Sequence, residues 1–574
     1  MSDTTTESIP THQPGDFTEP ATHLSLPPHY EPPMLEPRAD EPTAPGRLGT
    51  VFWASVALAA VFVVWGVAFT ENLSNVTNSS LNWITGSFGW LYLVVTMGIL
   101  GFLAFLAFSR VGKVRLGCDN ERPEFHTLSW LAMILSAVMG IGLVSYGVAE
   151  PISHFATPPH GLAEPGTPEA AVRAMQYSFF DWGLHAWGIF AIFGLAMAYS
   201  TYRKGRSCLV SQLFRPLLGD RVDGPIGKAI DILAVFSTLF GTTTSLGLGA
   251  LQVNNGVNML WGIPVNNTTQ VVIIALVTAI FTFSAVSGVS KGIKYLSQAS
   301  TGLAVILFVF ILVVGPAVFV ANLFVESIGL WASDFFRMSL QGTAFGGLEW
   351  MQWWTYFMLA WWVSWGAFVG LFLARISRGR TIREFIAGVL LVPSLVFFTW
   401  FSVFGGTAIH EDMFNGADIA KRTAEDINSA FFATLDQFPL ASITSVIAIF
   451  LVVMFFISGA DANTYVLSMM TSEGSLAPRK WVLVLWGIIT GVTAIVLMYA
   501  GGLNALQNTV IVTSAPFLII IAGLAVSFWV ELRYDARHEL LAGLRRSQPA
   551  GAAPATSPTE PAGTSYDTTT SPDA

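Results

Sequence analysis

Charge is what this chain has least of. Only 11% of its 574 residues are Asp, Glu, Lys or Arg, against about a quarter in soluble domains. So few charges cannot cover the water-facing surface of a chain this long. A soluble globular protein is therefore excluded, and most of the surface must meet lipid. Cysteine is nearly absent too. Cys118 and Cys208 stand apart in loops rich in basic residues, which excludes a disulfide scaffold and offers no metal-ligand spacing. No His-Glu-x-x-His and no Gly-x-Ser-x-Gly falls within an apolar run, so an intramembrane enzyme is not indicated. The first residues lack a charged start followed by an apolar core, and no cleavable signal peptide is expected. Both ends are poor in apolar residues. Residues 1–46 are rich in Pro, Thr and Glu, with eight acidic residues against Arg38, and residues 547–574 are rich in Pro, Ala, Ser and Thr. Neither end can offset its chain entropy by burial, and both are expected to be disordered. The net charge of −9 comes largely from these ends, and no nucleic-acid partner is expected.

What the chain has in abundance is apolar sequence. A helix that crosses a bilayer needs roughly 20 mostly apolar residues. Such runs occupy 51–70, 88–108, 128–148, 181–200, 229–253, 270–287, 302–324, 352–374, 384–405, 441–459, 481–501 and 509–530, about twelve in all. Lys and Arg stay on the cytoplasmic side of a membrane. With both termini inside, only Arg173, Arg337, Lys421 and Arg422 of the 28 basic residues fall outside. One span more or fewer would scramble that division. The fold class expected is thus an all-α protein of the cell membrane with twelve transmembrane helices. Two stretches of mixed polarity, 327–340 and 417–435, are predicted as helices on the outer surface.

Several motifs lie inside the spans. The third run reads Met139-Gly140-Ile141-Gly142, then Tyr146-Gly147 and Glu150-Pro151. Two mid-span glycines let the backbone open, so that its N–H groups can face a ligand. Close helix packing uses small residues in the same way. The eighth run reads Trp361-Trp362-Val363-Ser364-Trp365-Gly366-Ala367-Phe368, with Phe357 one turn earlier. Tryptophan usually marks the membrane interface, but these three stand in the middle of a span. Their electron-rich faces suit a cation without N–H groups, such as a quaternary ammonium. The fourth run adds Trp182, His185, Trp187 and Phe190, with His185 read as a packing residue. Runs three and eight each open a set of five, and paired glycine-interrupted helices at matching positions suggest an inverted repeat with its site at mid-depth. Asp231 and Asp461 are read as helix caps near the cytoplasmic face.

These motifs bring a family into view. Together with Leu184-His185, Gly247-Leu-Gly-Ala-Leu-Gln252, Ser287-Gly288, Leu373-Ala-Arg-Ile-Ser-Arg-Gly-Arg380, Phe404-Gly-Gly-Thr407 and Ala460-Asp461, the chain resembles the betaine/choline/carnitine transporter (BCCT) family. Within it, the pattern resembles the sodium-coupled glycine betaine carriers. The resemblance covers roughly residues 127–531. It implies a five-plus-five, LeuT-like inverted repeat in helices 3–12, two extra N-terminal helices, a homotrimer, and an amphipathic cytoplasmic helix around residues 377–385. The implied division is a tail at 1–46, the extra helices at 47–126, a first repeat at 127–325, an outer surface helix at 326–351, a second repeat at 352–531 and a tail at 532–574.

The resemblance also assigns residues. An ammonium cage maps to Trp182, Phe190, Trp361, Trp362 and Trp365, with Phe357 as a gate. The substrate carboxylate would meet the open backbone around Met139, Gly140 and Gly142. Phe190 stands where the compared carriers have tyrosine, and Val138 where they have a third glycine. One sodium site maps to Thr238, Thr242 and Phe368. A second maps to Ser136, Met139, Phe455, Ser458 and Gly459, where Gly459 replaces a serine and removes an oxygen. Relatives that work without sodium carry an arginine in the fifth span, but no Lys or Arg lies between Lys228 and Lys291. Sodium ions are thus the expected coupling ions, with no other cofactor. The expected function is sodium-coupled import of glycine betaine or a related compatible solute such as ectoine or proline betaine. The alternative is a choline or carnitine carrier coupled to protons or working by exchange.

Overall fold

The computed structural model describes residues 46–138, 140–287 and 290–546; within these, the side chains of 136–138, 290–297 and 537–546 are outside the description. The chain folds as helices throughout: α1 (Thr50–Ala68), α2 (Thr70–Phe108), α3 (Thr127–Val138), α4 (Ile141–Ala156), α5 (Pro168–Trp182), α6 (Leu184–Ala198), α7 (Arg215–Leu218), α8 (Pro225–Trp261), α9 (Asn267–Ser287), α10 (Ser290–Val314), α11 (Ala317–Ser339), α12 (Leu348–Trp353), α13 (Thr355–Ile376), α14 (Ile382–Asn415), α15 (Ile419–Glu425), α16 (Ala430–Leu435), α17 (Ala441–Thr471) and α18 (Lys480–Arg546). Among the described residues, 10 helical runs are long and apolar enough to cross a membrane.

That count differs from the twelve runs read in the sequence, for local reasons. The run at 128–148 is divided between α3 and α4, each too short to span alone. The run at 302–324 is divided at Gly315–Pro316 between α10 and α11, because proline cannot continue the hydrogen-bond ladder. The last two runs lie in α18, which kinks at Gly501 and Gly502. Gly502 has φ 58 and ψ −132, a conformation open to glycine and strained for other residues.

Three surface expectations are corrected. The 327–340 helix begins earlier, at Ala317, and packs against α5 and α14. The 417–435 stretch does not lie on the surface as one helix. It folds into α15, a 3₁₀ turn and α16, and α16 is buried from Ala430 to Leu435. Phe431 stacks on Phe404 at 5.3 Å, a better use of Phe431-Phe432 than exposure to water. Residues 377–385 form no separate helix. Gly379 turns the chain at φ +79, and the backbone of 114–116 then pairs with 379–382 through Leu116 N–H to Arg380 O, Gly379 N–H to Leu116 O and Ile382 N–H to Val114 O. Thr381 and Glu384 close a capping box that starts α14. The Arg380 guanidinium lies 4.0 Å from the centre of the Trp130 ring, so this basic end of the bundle is tightly tied.

Asp231 does act as a cap: its carboxylate accepts from Ser211 N–H and Oγ, at 2.9 and 2.7 Å. Asp461 does not. It sits well inside α17 and accepts from Ser284 Oγ of α9 at 2.9 Å, cross-linking two helices.

The centre of the bundle is the pair α6 and α13. Every residue from His185 to Ala198 is buried. His185 packs as expected, its ring 4.5 Å from Phe180 and 5.4 Å from Phe335. Helix α13 runs unbroken through Gly366, so the second glycine-interrupted span is absent. The glycines serve packing instead. A Cβ on Gly366 would lie 2.6 Å from Phe193 Cε2, and one on Gly370 would lie 2.9 Å from Gly194 N. Gly370→Leu is therefore expected to destabilise the protein by about 1–3 kcal/mol, read as earlier thermal unfolding in detergent. Gly101→Leu, with nothing within 4 Å of its Cβ position, should leave the transition in place.

Candidate functional site

The division between α3 and α4 opens the backbone at Gly140. Met139 lies outside the described residues. Gly140 is extended, at φ −137 and ψ −172, and stands as the N-cap of α4. The N–H groups of Ile141 and Gly142 thus have no acceptor within the helix, while Leu143 N–H turns back to Gly140 O at 3.1 Å. Gly142 does something else. A Cβ there would lie 2.8 Å from Trp182 Cη2 and 2.9 Å from Trp361 Cη2. One glycine opens the chain and the other makes room for two indole rings.

Those rings belong to a closed aromatic cluster. Phe357, Trp361 and Trp362 form a stack along α13, with successive centroids 5.4 Å apart and planes within 19°. Trp182, the last residue of α5, meets Trp362 edge-on at 4.9 Å and Trp361 at 6.3 Å. Phe190 of α6 points its edge at Trp362 from 5.9 Å, and Phe397 and Phe401 of α14 cover Trp182 at 5.7 and 5.1 Å. A cation must come within about 6 Å of a ring centre to be held. These rings already touch one another, so a methylated ammonium enters only as they part. Trp365 does not join them. It lies one turn further along α13 with Phe368, at 5.3 Å. Sharing a helix face with Trp361 did not bring it to the same depth.

The sequence reading missed what closes the cluster. Tyr146 stands over it, 5.9–6.2 Å from Trp182, Phe357 and Trp361. Gln507 of α18 donates to its hydroxyl at 3.2 Å. Gln507 also lines a cavity of about 480 Å³ bounded by α2, α12 and α18. Gln507 thus links the lining of that cavity to Tyr146 and, through it, to the aromatic cluster. A signal was present: Gly142, Tyr146, Glu150 and His154 recur at intervals of four on one face of α4. Glu150 accepts from Trp182 Nε1 at 2.7 Å, and Trp362 Nε1 donates to the Asp181 carbonyl at 2.8 Å. The two walls are held by their indole nitrogens.

The residues read as cation ligands fall in two places. Helices α8 and α13 run antiparallel, with Trp361 Nε1 donating to Ser245 Oγ at 3.3 Å and Gly241 against Ser364 and Trp365. That register sets Thr238 level with Phe368. Thr242 Oγ1 donates back to Thr238 O at 2.9 Å, whereas Thr238 Oγ1 is buried with no hydrogen-bond partner among the described residues. An orphaned hydroxyl oxygen in that position fits a hard cation. In the other place, Phe455 is buried and Ser458 Oγ donates to Phe455 O at 3.2 Å. Gly459 faces open space, with nothing within 4 Å of a Cβ. The Ser136 side chain, like Met139, lies outside the described residues.

An apolar helical bundle with aromatic side chains gathered along its spans, linked through Gln507 and Tyr146 to a cavity, has the build of a membrane carrier of small molecules. Comparison with known proteins gives the family. Residues 50–537 match the pattern of the betaine/carnitine/choline family transporter, and the chain belongs to that family. It is 49% identical over 494 residues to the glycine betaine transporter OpuD of Bacillus subtilis (strain 168), covering 86% of this chain and 96% of the relative. It is 39% identical over 497 residues to the betaine/ectoine transporter LcoP of Corynebacterium glutamicum, covering 85% and 78%. It is 38% identical over 498 residues to the high-affinity choline transport protein of Escherichia coli (strain K12), covering 85% and 73%. The protein is therefore a multi-pass membrane transporter.

The ring contacts at Gly142 make a direct prediction. Gly142→Ala should displace Trp182 or Trp361 and cost about 1–3 kcal/mol of stability, with a shift in tryptophan emission of the purified protein. Gly459→Ala, into open space, should do neither.

Proposed function

We propose that this transporter is a sodium-coupled symporter that imports glycine betaine or a closely related compatible solute, ectoine and proline betaine among them. What carries the reading is the convergence of Trp182, Trp361, Trp362 and Phe190 under Tyr146. Such rings offer faces to a methylated ammonium, which has no N–H to donate. The start of α4 presents the Ile141 and Gly142 N–H groups to a carboxylate. A betaine substrate agrees with the B. subtilis relative, a glycine betaine transporter, and the C. glutamicum relative, a betaine/ectoine transporter.

In this reading the bundle crosses the cell membrane twelve times, counting α3 with α4 as one crossing and α18 as two. Both termini are cytoplasmic, which places the Arg380 end inside and the 480 Å³ cavity at the outer face. Helices 3–12 form the five-plus-five inverted repeat, and three copies assemble. Sodium is the coupling ion. Its support is the unpartnered Thr238 Oγ1 and the lack of a basic residue between Lys228 and Lys291. Thr242 and Ser458 donate to carbonyls of their own helices, which leaves their lone pairs free to bind a cation. A second reading, a choline carrier, is favoured by the 38% identity to the E. coli choline transport protein. The aromatic cluster serves both, because the two solutes share a head group.

Trp362→Leu should weaken substrate binding by about 1–2 kcal/mol, measured as a raised half-saturation concentration for labelled glycine betaine in proteoliposomes. Unaltered uptake at limiting substrate would remove the cluster from the substrate path.

Coupling is tested separately. Thr242→Ala and Ser458→Ala should each raise the sodium concentration for half-maximal uptake. Gly459→Ser, for which there is room, should lower it or leave it unchanged. Equal uptake without sodium, following a proton gradient, would replace the symporter with the choline or carnitine reading.

A further inference from the structure

Behind the aromatic cluster lies a polar one that the transport reading does not use. Glu150 and His154 of α4 and Asp181 of α5 bring one ligand atom each within 4.8 Å of one another, and all three side chains are 0% exposed. Glu150 Oε2 is taken by Trp182 Nε1. Glu150 Oε1, both Asp181 carboxylate oxygens and both His154 nitrogens have no hydrogen-bond partner among the described residues. His154 Nε2 is 3.7 Å from Glu150 Oε1, too far for a hydrogen bond, and its ring is packed 4.6 Å from Trp354 and 5.4 Å from Trp350.

Two ionised carboxylates cannot share a dry interior without a neutralising partner. The surrounding elements offer none in reach. On α4 and α5 the other titratable groups are Tyr146, tied to Gln507, Tyr177, and Glu169 with Arg173, which are 3.7 Å apart; Asp334 of α11 also holds Arg173, at 2.9 Å. His160 follows α4 in a 3₁₀ turn and stacks on Trp350 at 4.6 Å. His185 opens α6 against Phe180. Arg337 of α11 lies toward His160 and Tyr177. Among the described residues, no ion pair from Lys or Arg reaches either carboxyl.

We propose that Glu150 and Asp181 form a proton-binding pair, with one proton carried by Asp181 and donated to Glu150 Oε1. That single proton gives a partner to one orphaned atom on each residue. It leaves the ionised Glu150 facing the Trp182 N–H, where a charge-assisted bond is strongest. The remaining negative charge then sits directly behind Trp182, whose other neighbours are the rings of the substrate cluster. A cationic head group entering the cluster is attracted by that charge and favours loss of the proton. By linkage, a gained proton must weaken the cation's binding by the same factor. Affinity is therefore highest at a pH above the titration of the pair and falls as pH drops through it.

The proton itself is tested without substrate; its coupling to substrate rests on the aromatic cluster being the substrate site. Full-length protein in lipid vesicles is examined by infrared difference spectroscopy in H2O and D2O at neutral pH. A carboxylic-acid C=O band is expected in the wild type and lost in Asp181→Asn. Asp181→Glu, which keeps an acid there, should show the band shifted and covers the case in which the Asn variant misfolds. A wild type without the band, a band untouched by both substitutions, or a stoichiometric metal ion in the purified protein would overturn the proposal. Glycine betaine binding is then measured on the same samples. The wild type should bind about fivefold or more weakly at about pH 6 than at about pH 8, and Asp181→Asn should flatten that difference. Binding that is independent of pH in the wild type sinks the coupling. Absence of betaine binding at any pH, with the band behaving as expected, sinks the substrate reading and leaves the proton site standing.

Discussion

A helix interrupted inside a bilayer exposes backbone N–H and C=O groups that no lipid can satisfy. The opening at Gly140 can exist only because other protein encloses it, and much of the architecture follows from that enclosure. Helices α5, α8, α14 and α17 pack against α4, and α6 with α13 forms the tightest contact in the bundle. The glycines at 194, 366 and 370 let those two backbones approach. In lipid, where apolar contact between helices gains nothing over contact with acyl chains, close packing of this kind is a main source of association.

The buried polar groups follow the same constraint. Serines and threonines return their hydroxyls to carbonyls one turn back, as Thr243, Thr244 and Thr464 do. The tryptophan N–H groups are used as straps between helices. Trp182 reaches Glu150, Trp362 reaches the Asp181 carbonyl, Trp400 reaches the Leu143 carbonyl, and Trp130 reaches Ser377. Each strap fixes a ring whose face is then available for another purpose. Tryptophan in mid-span thus combines a hydrogen bond that holds position with an apolar, electron-rich surface. The walls of the aromatic cluster depend on such bonds, and two of them end on the segment that also carries the buried carboxylates.

Particular residues show how far the chain could be read from its letters. The grouping of Trp182, Phe190, Phe357, Trp361 and Trp362 was legible, because these large aromatics recur in mid-span where an interface role makes no sense. Trp365 shares a face with Trp361 but, four residues on, lies about 6 Å further along α13 and pairs with Phe368 instead. Gly142 and Gly366 both make space for rings, Gly142 for Trp182 and Trp361 and Gly366 for Phe193 of α6, and only the fold shows which rings those are. Tyr146 and Gln507, which bond to each other over the cluster, are 361 residues apart in sequence, and no local pattern joins them. The stretch at 417–435 was placed on the surface because its composition is mixed, but its buried half is paid for by contacts with α4 and α8 that lie far away in the chain.

The sequence by itself determined that this is an all-helical membrane protein, for a compositional reason: an 11% share of charge leaves no other solvent, and a backbone in lipid must bond to itself. Its family followed from particular motifs and from the match over residues 50–537, not from composition. The sequence also determined which residue types were available for a cation. Only the tertiary structure decided which glycine opens the backbone, which tryptophans meet, and that Glu150 stands against Asp181. Those outcomes depend on distances between helices remote in sequence, where a shift of one turn brings a side chain to a different partner.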